Sequence, residues 1–312
     1  MDVSLIICTH NRANILKDAL SSLDHVDVPE EMNMELLVVN NAGTDNTSAV
    51  IDEYSANNKR FIVKGLFESK IGKTYALNRA IKDANGEILA FIDDDHIVSK
   101  GYLGAIFQSV KEHPSYNLFC GRILPNWDGT EPPWVHDNVK YPIRPFPIPC
   151  FDLGEKINEV NPDKGSFIPG AGNLIIRKTV FGNIGLFSED LGPKGHNLTG
   201  GEDIELVNRA IKKGERLLYV PEILQYHQID KLKLTMTYVV RKAYYRSIAA
   251  YQFSNSNQNG HVPLYLFRQA FNRLIRALFT FNEDARRYYL VRLAASIGEI
   301  QGRRKSKLYD KS

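Results

Sequence analysis

The chain has 312 residues, 43% hydrophobic and 24% charged, a composition that excludes a disordered or collagen-like chain and accommodates one large α/β domain with an appendage. Net charge is only +3, yet from Arg241 onward fourteen Lys or Arg face four acids, against twenty-five and thirty-two before it. The acidic body argues against a nucleic-acid partner, while the basic tail suits an anionic surface.

Val3-Ser4-Leu5-Ile6-Ile7-Cys8 is a short, nearly all-apolar, β-rich run, and residues 13 to 23 then show helical spacing through Ile15, Leu16, Ala19, Leu20 and Leu23. The pattern recurs with Glu35-Leu36-Leu37-Val38-Val39 before Asp45 to Tyr54, Phe61-Ile62-Val63 before Thr74 to Ala84, and Ile88-Leu89-Ala90-Phe91-Ile92 before Tyr102 to Lys111. Alternating strands and helices predict a parallel sheet covered on both faces. Ligands of such sheets bind beyond the carboxyl ends of the strands. The residues there are Thr9-His10-Asn11-Arg12, Asn40-Asn41-Ala42-Gly43-Thr44-Asp45 and Asp93-Asp94-Asp95-His96.

Acids after a strand are usually a solvated turn, but three in succession beside Phe91-Ile92 repel one another unless a cation or hydrogen-bond donors satisfy them. In an extended segment Asp93 and Asp95 point the same way, so together they can grip a divalent metal and a ribose. His96 adjoins the cluster as a weaker candidate. Gly72-Lys73-Thr74 resembles the end of a phosphate-binding P-loop, but the first glycine of that motif would fall at Phe67. Lys70 and Lys73 still precede a helix, where they either face donor phosphates or are ordinary solvated lysines.

An irregular, proline-dense stretch from Pro125 to Asp163 carries Trp127 and Trp134, which stack on sugars or, the favoured reading, pin the loop to the body. Pro169-Gly170-Ala171-Gly172-Asn173 precedes the strand-like Leu174-Ile175-Ile176, its small residues letting a substrate approach the backbone. Gly200-Gly201-Glu202-Asp203-Ile204-Glu205-Leu206 opens a helix through Val207, Ala210 and Ile211. Acids in a first turn are commonplace partners of the helix dipole.

In this order, Ser4-Leu5-Ile6-Ile7-Cys8-Thr9-His10-Asn11-Arg12, Val38-Val39-Asn40-Asn41 with Thr44-Asp45, Ala76-Leu77-Asn78-Arg79-Ala80 and Asp93-Asp94-Asp95 resemble the family 2 inverting glycosyltransferases of GT-A fold. The resemblance runs from about Val3 to His227. It implies an α/β fold with a Rossmann-like, mostly parallel central sheet, a nucleotide half with an Asp-x-Asp motif, Mn²⁺ or Mg²⁺ bridging the diphosphate of a nucleotide-sugar donor, and an acceptor half that supplies the catalytic base. Thr9, Asn11, Arg12, Asn40, Asn41, Asn78, Asp93 and Asp94 are thereby implicated in donor binding, and Asn173 in the wall of the donor-sugar pocket. Asp95 becomes the metal ligand, with Asp93 and His227, the last residue of Tyr219-Val220-Pro221-Glu222-Ile223-Leu224-Gln225-Tyr226-His227. Asp203 becomes the base, with Glu202 beside it touching the acceptor or positioning the helix. Family members commonly carry an aspartate after the second strand, where this chain has Asn40-Asn41, so the nucleobase stays open.

The expected domains are a GT-A catalytic domain over residues 1–230, with a nucleotide half to about 124 and an acceptor half from about 125, and a basic helical extension over 231–312. Within the extension Phe267, Ala270, Phe271, Leu274, Ile275 and Leu278 form an apolar stripe flanked by Arg268, Arg273 and Arg276. It packs on the body or across a homodimer, or lies on an anionic membrane. Three scattered cysteines, no run of membrane-spanning length and no basic-flanked leader lead us to expect a cytoplasmic enzyme, acting on a glycan or lipid-linked acceptor. A sugar-1-phosphate nucleotidyltransferase would want a glycine-rich loop where Thr9-His10-Asn11-Arg12 stands, and a non-catalytic nucleotide-sugar-binding protein would not need two acidic clusters.

Overall fold

Along β1 (Asp2–Thr9) the side chains of Val3, Leu5 and Ile7 join one buried cluster and Ile6 the other, because a strand sends successive side chains to opposite faces and this sheet is covered on both. One face packs against α1 (Ala13–Leu23), α2 (Thr47–Asn57) and α4 (Tyr102–Glu112), through residues such as Leu16, Leu20, Val50, Leu103 and Ile106. The other packs against α3 (Lys73–Asp83), α5 (Val180–Ile184) and α6 (Glu202–Lys212), through Leu77, Ile81, Phe181, Leu206 and Val207. Each fully buried Leu or Ile contributes about 1.5–3 kcal/mol relative to exposure.

The computed structural model describes residues 1–136, 139–161, 170, 172–193, 200–253 and 262–309. Pro162 and Asp163 of the irregular stretch, and Pro169 and Ala171 of the glycine-rich one, lie outside them. The chain divides into two units, Met1–Asn126 with Cys150–Asn197 and Gly201–Gln228, and Trp127–Pro149 with Leu198–Gly200 and Ile229–Ser312.

In the first unit the sheet runs β3 (Ile62–Glu68), β2 (Asn33–Asn41), β1, β4 (Ile88–Asp93), β8 (Asn173–Arg177), β6 (Leu118–Pro125), β9 (Leu217–His227) and β5 (His96–Val98), with β7 (Asn158–Val160) on β9. The four strands from β3 to β4 are parallel, as expected. β8 is antiparallel to both neighbours, so its first residue, Asn173, stands opposite Ile92. β9 parallels β6 and ends on the same rim, where His227 pairs with His96 of antiparallel β5. Alternating connections thus bring Thr9, Asn41, Asp93, Asn173 and His227 to one edge.

At the opposite edge Glu35 is buried and receives Ser4 Oγ at 2.7 Å, Lys64 Nζ at 2.6 Å and the Asn85 backbone N–H at 2.6 Å. Burial alone would raise this carboxyl, but the donors outweigh it and hold the pKa at about 2, below the ordinary 4.5. A depressed acid stabilises the fold above its unfolded pKa and loses that contribution as pH falls from 4.5 through 2. Glu35→Gln is therefore expected to lower neutral-pH stability by about 2 kcal/mol and to flatten this part of the acid limb in denaturant titrations. An unchanged acid limb would show that Glu35 is not linked to folding.

The second unit contains α7 (Met236–Phe253), α8 (Leu264–Phe279) and α9 (Glu283–Tyr309). Its core joins Ile143 to Val239, Ala243, Val291 and Ala294, with Trp134 packed against them. Segment Trp127–Pro149 thus groups with these helices rather than with an acceptor half, because its apolar residues are buried there. Trp134, expected to pin the loop to the body, packs on the core of this helical unit instead, and Trp127 meets His136 edge-on at 5.3 Å. On α8 the buried residues are Leu266 and Ala277, while Phe271 and Leu278 of the stripe are 62% and 66% exposed. Among the described residues no helix is long and apolar enough to cross a membrane.

Candidate active site

The rim carries a dense charge cluster. Asp94 is buried and receives Thr9 Oγ1 at 2.7 Å and Arg12 Nη1, while Arg12 Nη2 donates to Asp95 Oδ2 at 2.7 Å. Burial, and the charge of Asp95, push the Asp94 carboxyl up to about 6 although Arg12 opposes this. Lys73, the first residue of α3, places Nζ 2.8 Å from Asp93 Oδ1 and 3.7 Å from Glu202 Oε1. Burial would strip its proton, but Asp93, Asp203 and Glu202 hold its pKa well above the ordinary value. The same ammonium, against the effect of burial, keeps Asp93 ionised. The acids after β4 and those opening α6 therefore meet around one lysine.

Gly201 precedes α6 with φ +111, a left-handed conformation that favours glycine, and so turns Glu202 and Asp203 into the first helical turn. Glu202 is buried, and its Oε2 has no hydrogen-bond partner among the described residues. Such an atom is costly unless a ligand or water satisfies it. Gly172 has no room for a side chain, because a Cβ would lie 2.5 Å from Asp93 Oδ2 and 2.7 Å from His96 Cε1.

The histidines complete the site. His227 Nε2 is 3.6 Å from Asp95 Oδ2, His96 Nε2 is 3.9 Å from Asp95 Oδ1, and the ligand atoms of Asp95, His96 and His227 lie within 4.8 Å of one another. His227 Nδ1 is 2.8 Å from the Gln228 carbonyl, and His96 Nδ1 is 3.2 Å from the Gly172 carbonyl and 2.6 Å from Gln225 Oε1. Carbonyl oxygens only accept, so Nδ1 of each ring is the donor and Nε2 is the nitrogen on the side of Asp95. The Gln225 amide is itself oriented, since its Nε2 donates to Tyr102 Oη at 2.9 Å and to Asn173 Oδ1 at 3.0 Å. Asn173 Nδ2 donates in turn to the Ile223 and Arg122 carbonyls at 2.8 and 3.0 Å. Two imidazoles and a carboxylate with their outer partners in place are a donor set that fits a divalent cation.

Several residues expected to contact the donor make hydrogen bonds within the fold. Asn173 is wholly buried in the relay just described. Asn78 pairs with the backbone of Phe187 through both ends of its amide, at 2.9 and 3.0 Å. Asn40 donates to Ser48 Oγ and accepts from the Gly43 N–H, while Asn41 donates to the Lys70 carbonyl at 2.6 Å and accepts from the Gly72 N–H at 2.8 Å. Asn11, at φ +53, accepts from the Thr44 N–H at 2.7 Å and so ties the loops after β1 and β2 together. Lys70 is exposed over the Tyr75 ring. Gln225 and the full weight of His96 were missed, although Gln225 stands two residues before His227, on the same face of a strand.

Residues 4–184, more than half of the chain, match the family described as Glycosyl transferase family 2. The chain belongs to this family. It is a glycosyltransferase, and its sheet with helices on both faces is the GT-A fold. A glucosyl-dolichyl phosphate glucuronosyltransferase of Haloferax volcanii is 18% identical over 249 residues, covering 79% of this chain and 75% of the relative. The poly(ribitol-phosphate) beta-N-acetylglucosaminyltransferase TarS of Staphylococcus aureus is 30% identical over 115 residues, but these span 37% of this chain and only 20% of TarS. Among solved structures, a mannosyltransferase of Pyrobaculum calidifontis in complex with GDP-Man and Mn²⁺ superposes with a TM-score of 0.60 at 16% identity, covering 99% of this enzyme and 88% of that chain. Residues 1–349 of S. aureus TarS in complex with UDP-GlcNAc give 0.56 at 18% identity, covering 100% and 92%. At these identities the structural likeness is one of fold.

Proposed function

We propose that this enzyme transfers a sugar from a nucleotide-diphosphate donor to an acceptor hydroxyl, with inversion and with a divalent cation, in polysaccharide or glycolipid biosynthesis. The observation that carries this reading is Lys73, whose ammonium joins Asp93 at the end of β4 to Glu202 at the start of α6. A metal-bound diphosphate and an activated hydroxyl need two such acidic groups on either side of the anomeric carbon. The relatives that carry GDP-Man with Mn²⁺ and UDP-GlcNAc support a nucleotide-sugar donor.

Asp95, His96 and His227 would hold the cation, which when bound neutralises charge on the diphosphate leaving group. Arg12 keeps Asp94 and Asp95 in place and compensates part of their charge. Asp203 accepts the proton of the acceptor hydroxyl as the new bond from its oxygen to the anomeric carbon forms, and the bond from that carbon to the diphosphate breaks with its electron pair leaving on oxygen. Glu202, held beside Lys73, positions the acceptor.

Imidazole donors favour Mn²⁺ over Mg²⁺, which prefers carboxylates and water. In a thermal-shift screen, nucleotide diphosphates are expected to raise the melting temperature more with Mn²⁺ than with Mg²⁺, because a ligand that binds only the native state stabilises it. Shifts that ignore metal would sink the metal-dependent reading, and the nucleotide giving the largest shift names the base.

A further inference from the structure

We propose that a groove between α8 and α9 binds the phosphate of an anionic phospholipid, with the exposed apolar face of α8 seated in the bilayer surface. The groove has a volume of about 220 Å³ and is lined by Gln269, Asn272, Arg273, Arg276, Tyr288, Tyr289 and Arg292. Three guanidinium groups share it, and among the described residues no carboxylate lines it. The nearby acids of α9 are engaged elsewhere: Glu283 and Asp284 pair with Arg287 at 2.7 and 2.6 Å, and Glu299 with Arg303 at 2.9 Å.

The hydrogen bonds of Arg273 and Arg276 orient them without cancelling their charge. Arg273 Nη1 donates to the Arg292 carbonyl at 3.0 Å and to Ser296 Oγ, and Arg276 Nη1 donates to Tyr289 Oη at 3.0 Å. Burial, and then the charge of Arg292, both work against the Arg273 cation. A phosphate relieves that repulsion and accepts from planar guanidinium forks at two oxygens at once.

The apolar residues beside the groove select a lipid over a free anion. Leu264, Phe267, Phe271, Leu274, Ile275 and Leu278 recur at helical spacing and are all exposed, with Phe271 and Leu278 near two-thirds. Basic residues flanking such a face are the pattern of a helix lying in a membrane interface. A second copy of the chain fits less well, because a two-fold contact on this face would bring the same cations against their own copies.

The test is co-sedimentation of the full chain with vesicles of phosphatidylcholine alone or mixed with phosphatidylglycerol. The parent is expected to bind only the anionic vesicles and to be released by salt. Arg276→Gln with Arg292→Gln is expected to weaken binding roughly thirtyfold, two cations at about fivefold each. Phe271→Ser with Leu278→Ser is expected to release the protein as well, with circular dichroism confirming that both variants fold. Binding to both vesicle types alike, binding to neither, or retention by the double arginine variant would overturn the proposal. The comparison of vesicles on the parent alone decides it even where a variant misfolds. Failure to bind vesicles, with self-association in sedimentation velocity that Phe271→Ser and Leu278→Ser abolish, would instead assign the face to a homodimer.

Discussion

Asp203→Asn is expected to fold and bind nucleotide diphosphate like the parent, yet transfer sugar roughly a hundredfold or more slowly. Asp203 stands in the first turn of α6, where a carboxylate serving only as a partner of the helix dipole contributes well under about 2 kcal/mol of stability. The two roles therefore separate on different instruments. An amide of the same shape still accepts hydrogen bonds, but it does not take up a proton at neutral pH. Its charge also helps to hold the Lys73 ammonium, yet Asp93 and Glu202 remain beside that lysine in the variant, so the local pairing survives. The loss should fall on the transfer rate, with donor affinity close to parental. Transfer at the parental rate would reduce Asp203 to a dipole partner, and Glu202, with its unsatisfied buried oxygen, would be the next base to test.

Asp95→Ala is expected to abolish the strengthening of nucleotide-diphosphate binding by Mn²⁺, a factor of roughly ten or more in the parent. Asp95 supplies the carboxylate toward which both imidazoles turn, and without it His96 and His227 offer two neutral donors and no charge to the cation. The variant should still fold. Arg12 keeps its pair with Asp94, and Asp94 keeps Thr9. Calorimetric titration of the nucleotide with and without Mn²⁺ measures the factor, and free Mn²⁺ followed by electron paramagnetic resonance measures the cation directly. An undiminished factor in the variant would remove Asp95 from the metal shell.

The parallel half of the fold was readable because its strands and helices are strongly periodic. The helix expected over residues 13 to 23 is α1, Ala13–Leu23, and the one expected from Thr74 is α3, beginning one residue earlier. β5 and β7, three residues each, are too short for a period to register, and the β6–β9 pairing shifts register between Gly121 and Arg122, where the partner on β9 jumps from Val220 to Leu224. In the site, the acids stood out because three in succession after a buried strand repel one another, while Glu202 and Asp203 drew notice only through the family resemblance. The asparagines were not legible, since an amide serves a turn, a strand end or a ligand with the same atoms. His96 was underrated for another reason: its importance comes from lying opposite His227 across an antiparallel pair, a non-local relation that neither neighbourhood announces.

The lysine between the two acidic clusters has a consequence for how the cell uses this enzyme. Asp93, Asp94, Asp95, Glu202 and Asp203 share Arg12 and Lys73, a formal charge of −3 around the rim. That surplus repels a bare diphosphate and attracts a divalent cation. On the proposed reading a bound cation would remove what hinders the diphosphate, and by thermodynamic reciprocity the nucleotide would raise metal affinity by the same factor as the metal raises nucleotide affinity. Donor occupancy would then respond to both concentrations, and the protein would act as a coincidence detector whose donor site fills well only when cation and nucleotide sugar are abundant together.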